Sequence, residues 1–474
     1  MKEKQQIEQY FAQRKEQFIE HIRRLVAIRS VKGTAEEGMP YGRGPAEALK
    51  ETLLIAEELG LTTNNMDNIV GTIVINEHES KLGILGHVDV VTEGKNWSTP
   101  PYEAVVRDGK MYGRGTSDDK GPVIAALYAL AAVKELGFPL KYNTKLIVGT
   151  DEESGMTDLD YYLSKETPPP FVFTPDAEFP VINIEKGAIR TSFHASFFPS
   201  DALPRVVMVR GGDTINVVPP EAEAEIIGLE LADISEIAFS VTTDTGVNFE
   251  LTDLGEGKVH IKAQGIGGHA SLPETAINAL TGLLTLIAEL PLSESDGHDK
   301  LRGISEVFPH NDYYGAAAGL AMEDELSGKL TVNFSILRYS DEGELEGKFD
   351  SRVPICGSEA NTFDVLEPKL AAYGLQLVRA GYEPPHHTPA DTPFVQTLLN
   401  VYEHYTGEKG ECIAIGGGTY VHEIDGGVAF GPTMPGIDTR MHSNDEFIII
   451  DDMLRASQIY AQVIVELCGE NSPL

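Results

Sequence analysis

The sequence predicts an α/β protein whose catalytic domain is built on a mostly parallel sheet, with a second, α+β domain inserted into it. Three observations lead there. Short apolar runs in the first 180 or so residues, and again near the C-terminus, end in histidines or carboxylates and are separated by helical stretches. That is the pattern of a parallel sheet with its site at the C-terminal edge of the strands. The texture changes at about Gly187, where strand-like runs alternate with turns, and reverts after Pro384-Pro385-His386-His387. Finally, 474 residues are too many for one ordinary core. The expected boundaries are 1–186 and 384–474 for the two parts of the catalytic domain and 187–383 for the insert.

Composition narrows the function. The chain has 37 basic and 73 acidic residues, a formal net charge of -36. Nucleic acid and anionic membranes both require a basic face, so neither is expected as a partner. Cys356, Cys412 and Cys468 are far apart and form no C-x-x-C pair, which argues against a disulfide framework or a thiolate zinc site. Residues 1–17 are charged and polar, and no later run is long and apolar enough to span a bilayer. A cytoplasmic location is the expectation.

In chain order, Ile7, Tyr10, Phe11, Phe18, Ile22, Leu25 and Val26 recur at helical spacing and predict an amphipathic helix over 1–31. A second helix is expected over 46–59, stopped by Gly60. Strands follow at 69–75 and 81–86, the latter running into His87. A Pro- and Gly-rich loop over 97–115 leads to Asp118-Asp119, and a helix over 122–136 starts beside that pair. One Asp would serve as an N-cap; two exceed what a cap needs. A strand over 144–150 delivers Asp151-Glu152-Glu153, and one over 171–174 delivers Asp176. In the insert, 205–209, 238–242 and 258–263 read as strands and 273–290 as a helix. A helix over 393–405, a strand over 412–415 opening into Gly416-Gly417-Gly418, and a helix over 451–467 complete the chain.

His87 and Asp89 lie two apart on an extended chain, so they face the same side. Asp89 can then hold one imidazole nitrogen and leave the other for a metal. A structural histidine would look the same in isolation. Three carboxylates at 151–153 would repel one another near a core, and a cation is the usual relief; a solvated acidic turn is the alternative. Together, His87, Asp118, Glu152, Glu153, Asp176 and His442 make a set of imidazole and oxygen ligands without cysteine. Such a set suits two divalent ions about 3.5–4 Å apart, able to activate water and polarise a carbonyl.

These motifs resemble those of the two-zinc exopeptidases and deacylases that include glutamate carboxypeptidase, acetylornithine deacetylase and succinyl-diaminopimelate desuccinylase. The matching stretches are Gly86-His87-Val88-Asp89, Gly113-Arg114-Gly115-Thr116-Ser117-Asp118-Asp119-Lys120-Gly121 and Asp151-Glu152-Glu153-Ser154-Gly155. The resemblance spans almost the whole chain. It implies a zinc-exopeptidase-like catalytic domain with two Zn2+ per chain, cobalt or manganese being alternatives. His87 and Asp176 would hold one ion and Glu153 and His442 the other. Asp118 would bridge them through a link to Asp119 that is cis in the family. Asp89 would orient His87, and Glu152 would be the general base.

The insert would be the family's lid. Asn216-Val217-Val218-Pro219 and Gly268-His269-Ala270-Ser271 resemble its motifs. They imply that His269 stabilises the oxyanion and that Asn216 grips the substrate. Arg338, with the backbone of Gly417, Gly418 and Thr419, would hold the substrate carboxylate. Val421-His422 replaces the family's Ala-Arg after the glycine motif, and Ser340 replaces a usual Pro; both departures concern substrate recognition. A lid as long as 187–383 resembles the branch of the bacterial dipeptidase PepV, in which the enzyme works as a monomer and the oxyanion histidine acts within its own chain. The resulting expectation is a dipeptidase of short unblocked peptides, with an N-acyl-amino-acid deacylase as the rival using the same metals.

Overall fold

The computed structural model describes residues 2–470 and 472. They form two compact units, each with its own hydrophobic core. One comprises residues 1–184, 387–413 and 418–474; the other comprises 185–386 together with 414–417.

The first unit is built on a mixed sheet. Its middle is parallel: Ser80–His87 lies between Asn143–Gly149 and Phe171–Thr174, and Val428–Ala429 continues beside Phe171–Thr174. Thr62–Met66 and Val70–Val74 extend one flank antiparallel, and Val181–Glu185 pairs antiparallel with Val428–Ala429. The sheet is therefore less parallel than the sequence suggested. Thr62–Met66 and Val70–Val74 are joined by only three residues, too few for the crossover that parallel strands require. The parallel strands carry the chemistry. In register, His87 stands opposite Gly149, so both strands deliver their next residues to one edge.

The helix Lys120–Glu135 is apolar on every side, Ile124, Leu127, Tyr128 and Val133 all being buried. A helix of that kind needs cover all round, and the helices Lys2–Val26 and Ile450–Cys468 pack against it. It begins at Lys120, two residues earlier than expected, with Asp119 at the N-cap.

The first helix ends at Val26 instead of continuing to 31. The residues beyond it are tied to the end of the His87 strand. The Ser30 hydroxyl donates to Val88 O at 2.6 Å, and Ser30 O accepts from Val90 N at 3.2 Å. Buried Lys120 donates to Ile28 O at 2.6 Å. These tertiary bonds outweigh the helical periodicity.

The second unit is an antiparallel sheet. Its strands run in the order Asn248–Gly255, Lys258–Gln264, Glu221–Ile227, Arg205–Gly211, Thr331–Ser340, Glu344–Val353, Gly187–Ser196. Residues 238–242, read above as a strand, lie in the helix Leu231–Thr245. Its buried residues, Ile234, Ala238, Val241 and Thr245, keep the spacing of a helix face, a pattern that a five-residue window conceals. The helix expected over 273–290 is a 3-10 turn, Pro273–Thr275, followed by the helix Ala279–Glu289.

Asn278 causes that division. Its Oδ1 accepts from Leu280 N at 2.9 Å and Thr281 N at 3.0 Å, and its Nδ2 donates to Asn333 Oδ1 at 3.0 Å and Phe334 O at 2.9 Å. Asn278→Ala removes a cap and leaves buried carbonyl groups unpaired, so it is expected to destabilise the protein by about 1–3 kcal/mol. Urea unfolding measures this, and an unchanged midpoint would contradict the assignment.

Candidate metal centre

The site is assembled at the edge where the parallel strands of the first unit end. His87 is the last residue of its strand and fully buried. Gly86 before it has to be small: a Cβ there would stand 2.5 Å from Asp119 Oδ2 and 2.8 Å from Val123 Cγ2. That carboxylate oxygen accepts the His87 backbone N–H at 3.0 Å. Asp119, although at a helix N-cap, thus makes no cap bond of its own and holds the neighbouring strand end. The Asp118–Asp119 peptide is cis.

Two groups of possible ligands form here: His87 with Glu152 and Asp176, and His442 with Asp118 and Glu153. His87 Nε2 is buried and makes no hydrogen bond of normal geometry. Three carboxylate oxygens face it: Asp118 Oδ1 at 3.1 Å, Asp176 Oδ2 at 3.6 Å and Glu152 Oε2 at 3.9 Å. The other oxygen of Asp118 lies 2.8 Å from His442 Nε2, and Glu153 Oε2 lies 3.0 Å from the same nitrogen. Asp118 therefore turns one oxygen to each imidazole. His442 sits in the left-handed backbone region, with φ of 58°.

Glu152 and Glu153 lie just beyond the strand Asn143–Gly149. They open a 3-10 turn, Glu152–Ser154. The turn sends one carboxylate toward each histidine, so neither points away from the site. Asp89 fastens this turn. Its carboxylate accepts from Glu152 N at 3.2 Å and from Glu153 N at 3.1 Å, while Oδ1 is also 3.3 Å from His87 Nδ1. The same nitrogen is 3.1 Å from Asp89 O. Asp89 thus orients the imidazole and also the two glutamates, the second task being invisible in a two-residue motif.

Electrostatics identify the requirement of the site. Burial pushes the Glu152 carboxyl well above its ordinary value, and the neighbouring Asp176, Glu153 and Asp118 push it further. Burial and Asp118 raise Glu153 to about 7, and the same causes raise Asp176. Burial also opposes the Asp118 charge, but the two imidazoles hold its carboxyl below the usual range. Burial would lower the histidines; instead Asp118, Asp176 and Asp89 keep His87 well above its ordinary value, and Asp118 and Glu153 lift His442 to about 11. Without another cation, the cluster retains protons and uses its imidazoles as counter-charges. An orphaned buried ring nitrogen among carboxylates, and this shortage of positive charge, both fit divalent cations.

Several supporting residues carried no signal in the sequence. Glu446 is fully buried and accepts from Ser117 N at 2.8 Å, Asp118 N at 3.2 Å, Gly115 N at 3.1 Å and Arg114 Nη1 at 2.6 Å. It fixes the loop that presents Asp118. Four residues after His442, on an apparent acidic surface turn, it was indistinguishable from a solvated glutamate. Asp158 accepts from Thr150 N and Asp151 N at 2.5 and 2.7 Å.

The remaining expected site residues are distributed as follows. Gly418 and Thr419 belong to the first unit, and Thr419 caps the 3-10 turn Tyr420–Glu423. Asn216, His269, Arg338 and Gly417 belong to the second. Asn216 O accepts from Ala270 N at 2.9 Å, and His269 pairs with Val217 across a two-stranded ribbon. His269 Nδ1 accepts from Ser271 N at 3.2 Å. In the neutral ring this leaves the proton on Nε2, the tautomer an oxyanion donor needs.

Arg338 differs from the expectation. Its guanidinium donates to Gly211 O at 2.7 Å and Gly212 O at 2.6 Å and pairs with Asp213 at 3.0 Å, which makes it a clamp on its own unit's turn. The guanidinium at the glycine turn is that of Arg352. It is buried, donates to both oxygens of Asp350 at 2.7 and 2.9 Å, and its Nη1 donates to Gly416 O. Arg352-Val353-Pro354 carries the proline that Arg338-Tyr339-Ser340 lacks, and that was the available signal.

A mixed α/β unit bearing two histidine–carboxylate groups that share one aspartate belongs to the class of metallohydrolases. The model of peptidase family M20/M25/M40 matches residues 83–466. YtjP of Bacillus subtilis (strain 168), provisionally called a dipeptidase, is 37% identical over 458 residues, covering 96% of this chain and 98% of that protein. The Beta-Ala-Xaa dipeptidase of Lactobacillus delbrueckii subsp. lactis is 35% identical over 465 residues, 96% of each. Human carnosine dipeptidase 1 shares the fold with a TM-score of 0.58 at 17% identity, over 98% of both chains. The chain belongs to peptidase family M20/M25/M40 and is a hydrolase of peptide bonds.

The raised groups set a pH dependence for the chelated protein. Glu153, at about 7 in the folded chain, binds its proton more tightly than when unfolded, so its contribution falls as pH rises from about 4.5 to about 7. His442 gains stability that is complete below its unfolded value of 6.5 and is lost as pH rises toward about 11. Both have the same sign, and depressed Asp118 acts only in stronger acid. This cluster should therefore lower the melting temperature of the chelated protein from pH 5 to pH 8, against the opposite contributions of buried His21, His310 and Lys120. Added zinc should reverse the fall and release protons, detected as a buffer-dependent heat in titration calorimetry.

Proposed function

We propose that the chain is a dinuclear zinc dipeptidase that cleaves the peptide bond of short unblocked peptides. The observation that carries this reading is Asp118, with one oxygen at 3.1 Å from His87 and the other at 2.8 Å from His442. His87 and Asp176 would hold one ion, Glu153 and His442 the other, and Asp118 both. Bound divalent ions would supply an activated water and a polarised scissile carbonyl.

The chain's own groups account for the proton transfers. Glu152 Oε2 is the outermost of the three oxygens facing His87 Nε2, at 3.9 Å, which leaves it free to act as base. Its buried setting raises its affinity for a proton. It takes one from the attacking water and delivers it to the leaving amine nitrogen. His269, with its proton on Nε2, would donate to the developing oxyanion, and Asn216 would contact the substrate. The backbone of Gly417, Gly418 and Thr419 would receive the carboxylate terminus, with Arg352 at the glycine turn taking the part expected of Arg338.

The test is a panel of dipeptides, including β-alanyl ones because of the named relative, with their N-acetylated forms and a tripeptide. Chelated protein is assayed with and without zinc, cobalt or manganese. Metal-restored cleavage of free dipeptides is expected; cleavage of the N-acyl compounds alone would make the protein a deacylase. Glu152→Gln should lower kcat by about 10²–10⁴-fold with metal content unchanged. Metal loss in that variant would mean that base and ligand are reversed.

A further inference from the structure

We infer that Tyr420 and Asp158 form a positioning pair that sets the turn carrying Glu152 and Glu153 and links it to the segment at Gly418 and Thr419. The inference rests on the proposed roles of Glu152 and of that segment, but the geometry lies wholly within the first unit.

Asp158 Oδ2 accepts three hydrogen bonds: from Thr150 N at 2.5 Å, Asp151 N at 2.7 Å and the Tyr420 hydroxyl at 2.5 Å. The two amides are those that leave the sheet after Gly149 and lead directly into Glu152. With no strand partner there, they require an acceptor, and Asp158 is the one present. The aspartate is fully buried and Tyr420 is 1% exposed, so neither polar group has water as an alternative partner. Gly149 makes room for the pair; a Cβ at that position would collide with both the Tyr420 hydroxyl and Asp158 Oδ2.

The tyrosine reaches further than one hydrogen bond. Its ring stands edge-on to the His87 ring, with centroids 6.2 Å apart. It follows Thr419 directly and opens the 3-10 turn that Thr419 caps. A single side chain therefore touches the ring of one proposed ligand, fixes the origin of the base-bearing turn and begins next to the proposed carboxylate contact. Phenylalanine would fill the same space. The hydroxyl is needed for the bond to Asp158, and that bond serves the turn. Residues 418–419 and the turn bearing Glu152 are thus joined through a buried hydrogen bond.

Tyr420→Phe removes only the hydroxyl. Misplacing a catalytic group by a fraction of an ångström to 1 Å costs about 10–100-fold in rate, so kcat for a cleaved dipeptide should fall at least about tenfold. KM should stay within about twofold, and metal content should be unchanged. Asp158→Asn should act in the same direction, and the double variant should lose no more than the worse single one. Tyr128→Phe is the control. It deletes a buried hydroxyl 3.1 Å from His21 Nδ1, away from this turn, and should lower the melting temperature without altering kcat.

Hydrogen exchange of the Thr150 and Asp151 amides supplies a readout independent of activity: faster exchange in Tyr420→Phe is expected, and no change in Tyr128→Phe. Unchanged kcat and exchange in Tyr420→Phe, or losses matching those of Tyr128→Phe, would overturn the pair. If the wild-type protein cleaves no dipeptide with two metals bound, the dipeptidase reading fails, and the exchange result alone then decides the pair.

Discussion

Four carboxylates and two imidazoles share one edge of the sheet in the first unit, His87 buried and His442 half exposed, and no lysine or arginine pairs with the carboxylates of Asp118, Glu152, Glu153 and Asp176 among the described residues. Charges of one sign at this density are expensive to bury. The ion-free chain manages by keeping protons on some carboxyls and on both histidines. Divalent cations would replace that arrangement with a stronger one. Much of the surrounding structure keeps these six groups together against their repulsion.

The retaining devices are backbone amides aimed at buried carboxylates. Asp89 takes the amides of Glu152 and Glu153, Glu446 those of Gly115, Ser117 and Asp118, Asp158 those of Thr150 and Asp151, and Asp119 that of His87. The first three place irregular segments just beyond a strand end, where sheet bonds no longer hold them, and Asp119 holds the last residue of the His87 strand itself. An acidic protein thus uses part of its acid structurally, in places where amide dipoles stabilise the charge. Glycine at 86 and 149 lets those carboxylates approach the strands.

The second unit follows a different economy of contacts. Two of its arginines are engaged with its own chain: Arg338 with the Gly211–Gly212 carbonyls, Arg352 with Asp350 and Gly416. Arg190 adds a second cation to the buried Asp350 at 3.5 Å. Two arginines on adjacent strands thus look alike in the sequence and differ wholly in what they touch. The family resemblance drew attention to Arg338-Tyr339, whereas burial and the bond to Gly416 single out Arg352.

The sequence specifies the types and order of the candidate ligands, because hard donors at the ends of apolar runs form a pattern that survives in one dimension. It also determined the parallel strands at the heart of the first unit, the long apolar helix after Asp119, and the glycine turn after Cys412–Ile415. The three-dimensional packing sets where the first helix stops, since Ser30 and Lys120 act from outside its periodicity. Only it showed that 238–242 is helical, because the decisive spacing extends beyond the run. The 3-10 turn that separates Glu152 from Glu153 depends on Asp89, 63 and 64 residues away. The role of Glu446 and the Tyr420–Asp158 bond are likewise long-range hydrogen bonds, and a chain read in order has no term for a partner hundreds of residues distant.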